Sequence, residues 1–141
     1  MGRLDDCFSK GLLKKTSSEP QLAKKALKRA KDILLEIPRA IEADLLEMAQ
    51  QRIYQAAFHG AKALLYRDGV KERSHYCVAV YLAEKYSGIF PSPFLTLLDE
   101  LRDIRHELQY GLEVPAITKD ELLEWSSQCE EMLKIIGKVL K

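Results

Sequence analysis

No stretch of the 141 residues approaches the run of about 20 apolar residues that spans a bilayer, and the start of the chain is polar and charged. Neither a transmembrane helix nor a signal peptide is therefore expected. Glycine and proline are sparse, 7 and 5, and fall between periodic segments, which disfavours a strand-rich fold with frequent tight turns. Cys7, Cys77 and Cys129 are odd in number and far apart, which reads as reduced thiols in a cytoplasmic protein and not as a disulfide framework. There is no phosphate-cradling glycine loop, no Cys-x-x-Cys and no His-Glu-x-x-His. His59, His75 and His106 lack metal-ligand spacing, so neither a metal nor another cofactor is expected.

An excess of one charge is also missing, since the formal net charge is +1, but the balance shifts along the chain. Residues 1–40 carry ten Lys/Arg against five Asp/Glu, residues 41–91 six of each, and residues 92–141 six against ten. This excludes a uniform polyanion-binding coat. It leaves open a basic face near the start, or contact between the basic start and the acidic end.

What is present is helical periodicity. The chain is organised around Ile53 to Tyr66, where Ile53, Ala57, Ala61 and Leu64 form one strip and Tyr54, Phe58 and Leu65 a neighbouring one. A helix apolar over more than half its girth is one that other helices surround. Gly60 in its interior costs about 1 kcal/mol against alanine, so a close backbone approach is expected there. Phe58 is expected to supply buried aromatic bulk, worth about 3–5 kcal/mol if truncated to alanine.

Residues 1–17 are weakly patterned and read as an arm or a short helix. A first helix is predicted from Ser18, with a Ser18/Gln21 capping box, to Pro38. Its lysines Lys24, Lys25, Lys28 and Lys31 read as a solvated face, with a nucleic-acid contact as the alternative. The central helix is predicted from Ile41 to Tyr66 or Arg67 and stopped by Gly69, with a polar loop over Val70 to Arg73. Further helices follow from Ser74 to Ser87, from Ser92-Pro93 to Leu108 and from a Thr118/Glu121 capping box. The predicted fold is all-α: an up-and-down bundle of four main helices plus one additional helix, in a domain over 18–141.

The polar cluster is Arg102-Asp103-Ile104-Arg105-His106-Glu107-Leu108-Gln109-Tyr110 at the end of the fourth of these helices. Read in order, Y-Q-A-A-F-H-G-A-K-A-L-L, then S-H-Y, then R-H-E-L-Q-Y-G resembles the HEPN superfamily over residues 20–140, specifically its small stand-alone prokaryotic members. The resemblance implies a homodimer that binds nucleotide or RNA, often beside a minimal nucleotidyltransferase in a toxin–antitoxin pair. It also implies, as the alternative, a metal-independent RNase cleaving at the dimer cleft, or a purely structural partner. The active motif of such RNases is an arginine, a polar residue and, after three more residues, a histidine. Arg105 and His106 take the first two positions here, but Tyr110 stands where the histidine belongs. A phenol of pKa near 10 is a poor proton shuttle at neutral pH. The other register, Arg102 with His106, is one residue short. The expected catalytic set is therefore Arg105, His106 and Tyr110 in degenerate form, and the expected ligand-binding set is Arg102, Arg105 and Tyr110. Arg105 and Tyr110 converge only if the last turn before Gly111 loosens.

Overall fold

The computed structural model describes residues 2–141. Its described residues form six helices, α1 Arg3–Ser9, α2 Pro20–Glu42, α3 Leu46–Asp68, α4 His75–Lys85, α5 Ser92–Tyr110 and α6 Lys119–Val139, with short strands β1 Leu13–Lys15 and β2 Val70–Glu72. The expected all-α class holds, with a different count: four long helices and two shorter ones, beside a two-stranded ribbon.

α3 is the centre. Its buried residues, from Ala49 through Tyr54, Ala57 and Ala61 to Leu65, go round the helix, which packs against α2, α4, α5 and α6. Gly60 lies against Leu133 and Ile136 of α6, which is the close approach that explains it. Phe58 departs from expectation: it packs only at the margin of the core, because its ring stacks on the exposed His75.

Pro38 does not end α2, which continues to Glu42. The ring sits on the exposed face, while Ile37 and Ile41 on either side are buried. The proline costs about 3 kcal/mol, and burying two isoleucines returns about 1.5–3 kcal/mol each. The break falls at Asp44, whose φ is 62°, so the central helix starts at Leu46 instead of Ile41.

Ser18 does not cap α2. Its hydroxyl donates to the Arg67 carbonyl at 2.6 Å, while Pro20 takes the first turn. The Thr118/Glu121 capping box of α6 is present in both directions. The segment 70–73 expected as a loop is half a ribbon, with Leu13 opposite Glu72 and Lys15 opposite Val70. Cys7 and Cys77 form a disulfide joining α1 to α4, which overturns the expectation of three reduced thiols. Cys129 alone is free and buried. Among the described residues, no helix is long and apolar enough to cross a membrane.

Candidate functional site

The site is built where α3, α5 and the start of α4 meet. Buried Gln50 of α3 donates from Nε2 to the Leu101 carbonyl of α5 at 2.9 Å, fixing the two helices against each other. Four residues further along each helix stand Tyr54 and Arg105, and the Arg105 guanidinium lies over the Tyr54 ring, 5.0 Å from its centroid. Stacking on an aromatic face holds a guanidinium in one plane without neutralising it.

Arg105 Nη1 donates to Gln109 Oε1 at 3.2 Å, while its Nε is buried without a hydrogen-bond partner. Among the described residues, no carboxylate pairs with Arg105. Arg102, one turn back, is different. It donates to Asp99 at 3.1 Å and to Asp103 at 3.2 Å, and lies 5.8 Å from the Tyr76 ring centre. Arg102 is thus largely satisfied by its own helix, and Arg105 is the unneutralised cation.

The second half of the cluster comes from the helix that Ser74 opens by accepting from the Cys77 N–H. His75 Nδ1 sits 2.6 Å from the Tyr54 hydroxyl, and its ring stacks on Phe58 at 4.1 Å between centroids. Burial pushes the Tyr54 phenol up to about 12 against the opposing pull of Arg105 and Arg102, so it stays protonated. Although one side of the ring is open to solvent, desolvation on the side packed against Phe58 and Tyr54, and then Arg105, lower the His75 pKa from its ordinary value, which favours the neutral imidazole. A protonated phenol and a neutral imidazole share one hydrogen bond in this pair, whose direction follows the imidazole tautomer.

Of the predicted site residues, Arg102 and Arg105 come together on the side facing Tyr54 and Tyr76. His106 and Tyr110 do not join them. Their rings pack on each other 4.9 Å apart, and Tyr110 is 67% exposed. The helix runs to Tyr110 and Gly111 continues in extended geometry, so the last turn does not carry the phenol to Arg105. Sequence reasoning did not bring His75 and Tyr54 into the site: Tyr54 was placed on an apolar strip of the central helix, where it is indeed buried, and His75 was given no role. Their only signal was a histidine directly after a capping serine, within reach of an aromatic helix. No group of three or more metal-ligating side chains occurs among the described residues.

The cluster thus sets an arginine that has no carboxylate partner, Arg105, beside the Tyr54–His75 pair on a helical bundle. Comparison with protein families matches the HEPN domain over residues 23–140. The chain belongs to the HEPN domain family, and the match takes in most of its 141 residues. Comparison with curated proteins gives no match.

Proposed function

We propose that this HEPN domain is a nucleotide- or RNA-binding module that holds a phosphate on Arg105. The reading is carried by one observation: Arg105 is braced over Tyr54 with a buried, unpartnered Nε and no carboxylate to neutralise it. A phosphate accepts two parallel N–H bonds from such a fork. In this reading the domain is a homodimer that acts with a nucleotidyltransferase protein in a toxin–antitoxin type of system. Exposed apolar residues at the end of the motif and just beyond it, Tyr110, Leu112 and Val114, support pairing at this end of the bundle. Tyr110 in place of the motif histidine supports binding without efficient cleavage.

The test is fluorescence anisotropy with labelled RNA and a labelled nucleotide, with light scattering for mass. Arg105→Lys keeps the charge and loses the fork, so binding should weaken about tenfold or more while melting stays unchanged. Undiminished binding by Arg105→Lys and by Arg105→Ala would remove the site.

A second reading, metal-independent RNA cleavage, is favoured by the neutral His75 in the same cluster. If the wild-type protein cuts RNA, His75→Gln should abolish cutting and His106→Gln should not. The reverse outcome would restore the Arg102/His106 register.

A further inference from the structure

α6 runs antiparallel to α2, since residues 24–31 face 131–141 while residues 31–38 face 126–134. Between the two helices lies a groove of 810 Å³. Lys24, Lys28 and Lys31 line it from α2, and Lys134 and Lys138 from α6, with Lys141 just past the end of that helix. The first row steps four residues and then three, so it follows one face of α2 over about 10 Å, and Lys134 and Lys138 share one face of α6. Leu27, Leu133, Gly137 and Leu140 make an apolar floor, and Glu131 is the one carboxylate in the lining.

Lys28 pairs with Asp32, and Lys134 with Glu130 and Glu131, all in exposed positions where such pairs are worth little. Among the described residues, Lys24, Lys31 and Lys138 have no acidic partner. The floor continues into a second depression of 460 Å³ lined by Leu34, Leu35 and Pro38, which shares Lys31, Leu133 and Lys134 with the first. Leu35 is 77% exposed there, a large apolar side chain on the solvent side of α2.

We propose that this groove docks an acidic amphipathic helix of a partner protein. Such a helix lays its apolar stripe on the leucine floor and sets flanking Asp and Glu side chains against the two lysine rows. The apolar floor is what separates this occupant from a nucleic acid. A phosphate backbone needs no apolar floor, and single strands are held by aromatic platforms, whereas neither an aromatic residue nor an arginine lines either depression. The groove uses none of the residues around Arg105, so it stands or falls independently of the anion site.

The probe is a fluorescein-labelled synthetic peptide of about five helical turns. It carries leucine at i, i+3, i+4 and i+7 and glutamate on the flanks. Beside it run the same peptide with lysine flanks and a labelled oligouridylate. The full chain should bind the acidic peptide and not the basic one. Lys28→Glu with Lys138→Glu should weaken that binding by about tenfold or more, and Leu140→Gln should weaken it as well, with circular dichroism unchanged for both. Failure of the acidic peptide to bind, or equal binding by the charge-reversed protein, would overturn the proposal. Oligouridylate binding that the reversal abolishes while peptide binding survives would make this a nucleic-acid groove. Loss of dimer mass on reversal would make the occupant a second copy of the chain. Either result overturns the partner helix.

Discussion

Gly60→Ala sets two effects of known size against each other. Alanine in a helix interior is favoured over glycine by about 1 kcal/mol. At Gly60 the added Cβ would sit 2.5 Å from Leu133 Cδ2 and 3.2 Å from Ile136 Cδ1. Leu133 is 2% exposed and Ile136 fully buried, so neither has solvent to move into. Overpacking of this kind costs about 1–3 kcal/mol, and the clash should win. The expected net loss is about 1 kcal/mol, or about 3–6 °C in Tm for a chain of this size. Urea titration and thermal melting read it directly. A cycle with Leu133→Ala isolates the cause: with the leucine cut back, the same Gly60→Ala change should become neutral or stabilising. A variant that melts at or above wild type, with additive behaviour in the cycle, would refute a close α3–α6 approach at this glycine.

Three further outcomes follow from other parts of the fold. Cys7→Ser should remove the constraint on a loop closed across a separation of 70 residues, worth about 4 kcal/mol on the chain-entropy argument, and the difference from wild type should vanish in reductant. His59 and His75 both have pKa values lowered below the ordinary 6.5, chiefly by burial, so the unfolded chain takes up protons first. Stability should be full above that value and fall with the pH below it, and His75→Gln should flatten the slope of urea midpoints taken between about pH 8 and pH 5. Phe58→Ala should cost about half of the 3–5 kcal/mol of a fully buried aromatic, and removing its ring from His75 should raise the imidazole pKa seen by NMR titration.

The long helices were legible because their apolar stripes repeat over five or six turns, enough for periodicity to dominate any single residue. Pro38 misled because the local rule at a proline was allowed to outweigh the stripe, although Ile37 and Ile41 continue it without a gap. The ribbon was invisible for a different reason. Three residues per strand are too few to show alternation, and Leu13 and Glu72 are separated in the chain by the whole of α2 and α3. The Cys7–Cys77 pairing is equally non-local. At the site, the arginine motif was readable as a string, but its surroundings were not. Helical spacing shows that Arg105 and Tyr110 diverge, yet only the packing of α3 on α5 puts Tyr54 beneath the guanidinium. Only the entry of α4 brings His75 to that phenol.

Gly69 carries an implication for how the sequence can drift. Its φ of +72° already favours glycine, and a Cβ there would run into the Thr16 carbonyl and come within 3.1 Å of the Ser18 backbone nitrogen. Those neighbours are main chain, so no change of side chain anywhere nearby can make room. The Thr16 N–H donates to the Gly69 carbonyl at 2.7 Å, which keeps the two segments from separating. A library randomised at this codon should return a single amino acid among folded clones, while the same library at Gly88, where nothing lies within 4 Å of a built Cβ, should return many.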